Sequence, residues 1–172
     1  KLNLNSLIDE KYNKKYEFQI IRSDAKYLLG EVYDASDNSM LFSTISLFKY
    51  NHNSQKIEFI DINRQGRATD LVLNGNELYY VVVNMIDNII EWEYGNYDTE
   101  TEKTNILETG KISNPMLAPR LFTYDGNIFI ASINDDGEYQ KFNFKKYSDD
   151  SIITKIETFG HKMNNEGSFS GN

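Results

Sequence analysis

The sequence contains no cysteine and only two prolines and two histidines among its 172 residues. The absence of cysteine excludes disulfide bridges, zinc sites with thiolate ligands and thiol nucleophiles. No apolar run reaches the roughly 18 residues that a membrane-spanning helix requires. His52 and His161 lie in polar surroundings, and no Gly-x-Ser-x-Gly motif accompanies them, so nothing indicates nucleophilic catalysis.

Acidic residues outnumber basic ones by 26 to 18, which gives the chain a net charge of −8. Such a chain is a poor partner for nucleic acid, whose phosphates require a local excess of Lys and Arg. No phosphate-binding glycine loop, dinucleotide fingerprint or metal-ligand spacing is present, so we expect no cofactor and no metal. Composition leaves the location open, with an extracytoplasmic or cell-surface position favoured over a cytoplasmic one.

Aromatic residues are abundant, with 12 Tyr and 10 Phe, which suits half-buried strands. Three segments, at residues 23–29, 73–80 and 124–130, each combine a turn with an apolar strand. Aligned on Ala25, Gly75 and Gly126, they recur at intervals of 50 and 51 residues. Asn-Gly and Asp-Gly pairs at the second and third turns are strong signals for β-hairpins.

Two more strand-like segments follow each hairpin. The third strands are predicted at 41–50, 88–94 and 139–145, and the fourth at 56–62, 104–109 and 151–158. Second strands such as 78–83 are apolar on both faces, whereas third strands such as 90–94 alternate. This gradient favours β-propeller blades, whose inner strands lie between neighbouring blades and whose outer strands reach solvent.

We therefore predict an all-β fold, namely a partial β-propeller of about three four-stranded antiparallel blades plus single strands at each end. The blades are predicted at 17–62, 67–109 and 118–158. Residues 1–16 are predicted to end a preceding repeat, because residues 1–4 resemble the fourth strand at 56–59. Residues 164–172 are predicted to begin a further repeat, because 168–172 resemble the approach to the earlier turns.

Three blades do not close a ring, since propellers typically have four to eight. We expect the chain to be a segment of a longer propeller, with further blades in cis or self-association completing the ring. The alternative for residues 1–16 is a helix capped by Ser6, with Asp9 in its first turn.

The turn-plus-strand units, residues 125–130 above all, resemble bacterial propeller repeats of the kelch-like and TolB-like kind. The likeness spans most of residues 17–172 at the level of a superfamily. The paired glycines typical of kelch repeats and the Trp-Asp signature of WD40 blades are absent. The resemblance implies a propeller fold, and because propellers host many functions it implies no particular activity.

In propellers, the loops between second and third strands and those between blades emerge on one face, which commonly carries the binding site. The inter-blade loops of this sequence hold five candidate ligand-binding residues: Arg64, Arg67, Asn114, Arg120 and His161. Arginine recurring in successive loops of an acidic protein indicates a ligand-facing surface. The alternative is that these arginines pair structurally with neighbouring carboxylates.

These observations predict a non-catalytic binding or scaffolding module for a protein, peptide or glycan, with no nucleic-acid partner and no membrane span. The alternative is the propeller portion of a larger enzyme, such as a glycan-active enzyme or a propeller-gated peptidase. Glu91 and Glu93 flank Trp92 as paired carboxylates, which glycoside hydrolysis requires. On the outer face of a third strand, we interpret them as solvated charge.

Overall fold

A computed structural model describes residues 3–12, 16–34, 44–87, 89–135, 139–148 and 151–161 of the chain. Within these residues the protein forms one α-helix, one short 3₁₀ helix and twelve strands in three four-stranded antiparallel sheets. Each sheet is a meander, because strands that follow each other in sequence pair with each other. The predicted all-β class is confirmed.

The elements follow the chain as a helix and then sheets 1, 2 and 3. The helix α1 is Leu4–Tyr12, and the 3₁₀ helix Pro115–Leu117 lies between sheets 2 and 3. Sheet 1 comprises β1 (Glu17–Ser23), β2 (Tyr27–Tyr33), β3 (Thr44–Asn51) and β4 (Lys56–Ile60). Sheet 2 comprises β5 (Arg67–Asn74), β6 (Glu77–Ile86), β7 (Ile89–Asp98) and β8 (Lys103–Ile112). Sheet 3 comprises β9 (Arg120–Tyr124), β10 (Asn127–Asp135), β11 (Tyr139–Ser148) and β12 (Ser151–His161).

The second strands of the three sheets begin at Tyr27, Glu77 and Asn127, so the structural repeat is 50 residues throughout. The turns before β6 and β10 nevertheless differ in type. In the turn before β6, only Gly75 has a positive φ (61°). In the turn before β10, both Asp125 (48°) and Gly126 (70°) have a positive φ. The first pattern is that of a II′ turn and the second that of a I′ turn. Gly75 is therefore equivalent to Asp125, and the alignment of the two glycines is wrong by one residue.

The predicted strand at the N-terminal end is wrong where the structure describes it, because Leu4 begins α1. The helical alternative is confirmed, but Ser6 is not its cap. The side-chain oxygen of Asn3 accepts a hydrogen bond from the Ser6 amide at 3.3 Å, and the first turn holds no acidic residue. The strand predicted within 164–172 lies outside the described residues.

Sheet 2 lies between the other two sheets, and alternate residues of β6 face opposite ways. Tyr80 and Val82 join a core with Leu29 and Leu47 of sheet 1. The residues next to them, Val81 and Val83, join a second core that sheet 3 completes with Leu121, Ile128 and Ile130. This period of two explains why residues 78–83 of the second strand are apolar at every position. Helix α1 covers the far face of sheet 1, so the layers are α1, sheet 1, sheet 2 and sheet 3.

The three sheets converge at their first strands. Arg22 of β1 donates hydrogen bonds to the Asp70 carboxylate of β5 and to the Leu121 carbonyl of β9, both at 2.8 Å. The Leu121 amide in turn donates to the other oxygen of Asp70 at 2.8 Å. A side chain of sheet 1 thus reaches sheet 3 past the edge of sheet 2. The principal strand contacts between neighbouring sheets all include β5 or β9.

We expect Asp70→Ala to lower the free energy of unfolding by about 3 kcal/mol, at the lower end for breaking a buried ion pair, because Arg22 can rehydrate partly. Asp70 is buried, and the variant leaves the Leu121 amide without its acceptor. Urea denaturation measures the change. In the matched control Glu58→Ala, which removes an exposed carboxylate, loss of the ion pair with the half-buried Lys49 should cost about 0–1 kcal/mol. Equal losses in the two variants would contradict the role given to Asp70.

Two glycines make room for an aromatic ring on the neighbouring strand. Gly30 of β2 lies opposite Phe48 of β3, and a Cβ at Gly30 would approach that ring to 2.5 Å. The equivalent pair in sheet 2 is reversed, with Tyr80 on β6 opposite Gly95 on β7. A Cβ at Gly95 would approach the Tyr80 hydroxyl to 2.4 Å. Sheets 1 and 2 therefore each have one ring and one glycine in this pair of positions, which keeps the combined volume similar.

Gly95→Ala should destabilise the protein by about 1–3 kcal/mol, the usual cost of overpacking a core, because the buried Tyr80 ring must move. Chemical denaturation followed by far-UV circular dichroism checks this. Asn105→Ala, at an exposed position of the adjacent strand β8, should stay within about 0.5 kcal/mol of wild type. A Gly95→Ala variant as stable as wild type would refute the close approach.

Candidate functional site

A cleft of about 300 Å³ opens on the face of sheet 2 that also packs on sheet 1, near the β6–β7 hairpin. Its polar lining consists mainly of Arg64, Asn84, Glu91, Glu93, Thr109 and Lys111. Strand periodicity places the residues of β6, β7 and β8 on one face. Arg64 comes from the linker between sheets 1 and 2, which forms the remaining wall with Gln65.

The inner wall of the cleft is a fixed polar cluster centred on Glu93. One carboxylate oxygen of Glu93 accepts hydrogen bonds from Arg64 Nε at 2.7 Å and from the Tyr80 hydroxyl at 2.8 Å. The hydrogen bond to Glu93 raises the pKa of Arg64. The pKa of Tyr80 is raised mainly by burial and further by its hydrogen bond to the Glu93 carboxylate. The three side chains hold one another, so this wall is preorganised for hydrogen bonding.

A second ion pair, Glu91 with Lys111, lies further out at 3.3 Å. The two side chains are 43% and 66% exposed, and such surface pairs contribute little to stability. They can therefore turn towards a ligand at small cost. Two carboxylates and two cations line the cleft, so their formal charges cancel, and Coulomb attraction favours neither an anion nor a cation.

The rim of the cleft is apolar at the β6–β7 hairpin. Ile86 lines the cleft and is 49% exposed, and Ile89, which lies opposite it on β7, is also exposed. Exposed aliphatic side chains next to convergent polar groups are typical of ligand-binding pockets. The rim adds contact area for a ligand that also has an apolar surface.

Arg67 and Arg120 lie between sheets. Arg67, the first residue of β5, donates to the Glu31 carboxylate of sheet 1 at 2.7 Å and lies over the Tyr33 ring. Arg120, the first residue of β9, donates to the Thr69 carbonyl of sheet 2 at 2.6 Å. Arg67 pairs with a carboxylate, as the structural alternative predicts, and Arg120 pairs with a backbone carbonyl. Ligand binding by either residue stays a prediction.

The two arginines are also not equivalent in the repeat. Arg67 lies opposite Val83, whereas Arg120 lies opposite Ala131. The counterpart of Ala131 in sheet 2 is Val81, whose partner is Asp70 rather than Arg67. The arginines therefore recur at successive connections between sheets, as predicted from the loops, but not at register-equivalent positions.

The remaining candidates lie away from the cleft or outside the described side chains. Asn114 caps the 3₁₀ helix, since its side-chain oxygen accepts a hydrogen bond from the Met116 amide at 2.9 Å. His161 is the last residue of β12, and its side chain lies outside the described part of the chain. Of the four predicted residues whose side chains the structure describes, only Arg64 lines the cleft.

Sequence reasoning missed the cleft because its residues come from three strands. The interpretation of Glu93 as solvated charge is wrong, since its side chain is 20% exposed and forms two hydrogen bonds to partners in the linker and β6. A signal was present in the alternation of polar residues on two adjacent strands. Glu93 lies opposite Thr109, and Glu91 lies opposite Lys111.

Neither metal-ligand clusters nor membrane-spanning helices occur in the described parts of the chain. No three His, Asp or Glu side chains among those residues are grouped to hold a metal ion. No described helix is both long and apolar enough to cross a bilayer.

In comparisons with known proteins, no family model and no curated protein matches the chain. The resemblance to propeller repeats therefore stays a prediction.

The buried phenol of Tyr80 should make stability depend on alkaline pH. Its pKa is raised in the folded state, so its contribution is fully present below the unfolded pKa of about 10 and is lost as pH rises further. We expect the free energy of unfolding to fall above this pH and to fall less steeply in Tyr80→Phe. Tyr33 and Tyr97, whose pKa values are also raised, should leave a residual slope.

Urea denaturation at a series of alkaline pH values measures the slope of the free energy of unfolding against pH. Tyr124→Phe is the matched control, because that side chain is 72% exposed, and it should keep the wild-type slope. An unchanged slope in Tyr80→Phe would contradict the argument.

Proposed function

We propose that the protein is a non-catalytic binding module of the β-propeller type, and that its ligand site is the cleft at Arg64 and Glu93. The ligand is an uncharged polar molecule, a glycan or a short peptide. The observation that carries the proposal is the combination of an Arg64–Glu93 wall, held from behind by the buried Tyr80 hydroxyl, with an adjustable and electrically neutral Glu91–Lys111 pair. Such a lining offers donors and acceptors without selecting for charge.

The arrangement of the sheets supports the propeller part of the proposal. Three meander sheets repeat every 50 residues, pack face to face and converge at their first strands. In propellers, four-stranded blades surround an axis, so neighbouring blades are expected to approach most closely at their innermost strands. The cleft lies where the linker between two such sheets meets the ends of β6 and β7, on the face predicted for ligands.

Binding is favoured over catalysis by the pairing within the cleft. Each of its two carboxylates has a cation partner, an arrangement that suits hydrogen bonding to a ligand. His52 packs edge-on against Tyr50 at the β3–β4 turn, which lies at the other end of sheet 1. Among the described side chains, no histidine lines the cleft.

Thr109→Trp tests the site because Thr109 is an exposed cleft residue whose enlargement fills the space without disturbing the cores. Neutral oligosaccharides and short peptides are first screened by thermal shift, since a ligand that binds only the folded state raises the melting temperature. For a ligand found in this way, calorimetry should show at least about tenfold weaker binding to Thr109→Trp, equivalent to about 1.4 kcal/mol.

Asn105→Trp is the control, with the same substitution at an exposed position of the same strand that does not line the cleft. It should bind as wild type does. Because the charges of the cleft cancel, the affinity should also change little with salt. Binding that survives Thr109→Trp, or a panel in which nothing binds, would contradict the proposal.

A further inference from the structure

Helix α1 covers an apolar face of sheet 1. Ile8 is 2% exposed and packs with Val32 and Phe48. The Tyr12 ring meets the Phe59 ring edge-on at 5.3 Å, and its hydroxyl lies 2.8 Å from the Ser46 hydroxyl. The outer side of the helix carries exposed polar residues such as Glu10 and Lys11.

This face of sheet 1 is the repeat equivalent of the face of sheet 2 that packs on sheet 1. At the 50-residue spacing, Val32 corresponds to Val82, and Val82 belongs to the core between sheets 1 and 2. The Gly30–Phe48 pair corresponds in the same way to the Tyr80–Gly95 pair. Helix α1 therefore covers the face of sheet 1 that is equivalent to the face of sheet 2 covered by sheet 1.

Sheet 3 carries the complementary face at the other end of the layers. Phe129 is the counterpart of Leu29, which belongs to the core between sheets 1 and 2. Ile128 and Ile130 face sheet 2, so Phe129 between them faces away from it, stacked on Phe122 at 5.3 Å. At these described positions sheet 3 thus presents an apolar surface, as sheet 1 does to sheet 2.

We propose that the face of sheet 1 beneath α1 is an interaction surface for sheet 3 of a second copy of this chain, and that α1 is a displaceable cap over it. The contact continues the packing already present between sheets 1 and 2. Helices shorter than about 12–15 residues are marginal alone, so this nine-residue helix depends on docking. The contact is head-to-tail and generates rings or longer assemblies once the cap is displaced. The inference does not depend on the ligand proposed for the cleft.

Glu10→Pro in the full chain tests the cap. Glu10 is exposed, so the substitution leaves the face of sheet 1 intact, whereas proline inside a helix removes a backbone hydrogen bond and clashes with the preceding turn. Sedimentation velocity should find wild type and the matched control Glu10→Ala monomeric. The mass of Glu10→Pro should rise with concentration to twice the monomer mass or more.

Phe129→Asp identifies the partner surface. The double variant Glu10→Pro/Phe129→Asp has an uncovered sheet 1 and a disabled sheet 3, so it should be monomeric alone. Mixed with wild type, whose sheet 3 is intact, it should form a 1:1 complex. Association of the double variant with itself, or no complex with wild type, would overturn the proposal.

Three further outcomes decide against the cap. A folded Glu10→Pro that stays monomeric at every concentration would show that the surface does not bind a second copy. Self-association of wild type would show that α1 blocks nothing. Global unfolding of both Glu10→Pro and Ile8→Asp, seen by circular dichroism, would show that sheet 1 does not survive without α1. Folded Ile8→Asp that associates like Glu10→Pro would support the proposal.

Discussion

The junction of the three sheets is built on the buried carboxylate of Asp70. Asp70 accepts hydrogen bonds from Arg22 of sheet 1 and from the Leu121 amide of sheet 3 while belonging to sheet 2. Since a buried charge is tolerated only with partners, this residue ties the first strands of the three sheets to one point. The cleft lies away from that point. Its far wall is the linker with Arg64 and Gln65, and no strand of sheet 1 lines it.

The strands and hairpins were predictable because their signals are local. Turn residues such as Gly75 and the alternation along β7 act over a few positions. Helix α1 was mistaken for a strand because residues 1–4 share the apolar alternation of 56–59. The spacing of Leu4, Ile8 and Tyr12 by four was the competing signal, and contacts with sheet 1 decide between the two.

Only the part of the candidate site that lies in the connection between sheets 1 and 2 could be predicted from the sequence. Arg64 could be assigned from its loop to the face on which the cleft opens, but its partner Glu93 is 29 residues away and reaches it only through the fold. Arg67 and Arg120 each begin the first strand of a sheet, but they are 53 residues apart whereas the repeat is 50, so they do not occupy equivalent positions. The register shift between Ala68 and Asp70 in β5 moves the pairing by one residue, and a bulge of this kind has no reliable signature in a single sequence.

The exchange of ring and glycine between Gly30–Phe48 and Tyr80–Gly95 bears on how such repeats diverge. Selection on packing acts on the summed volume of two facing positions, so either strand can supply the bulky residue. Compared one position at a time, two such repeats differ at these positions by a glycine against a large aromatic side chain. At this point of the sheet their similarity becomes visible when facing positions on neighbouring strands are compared as a single unit.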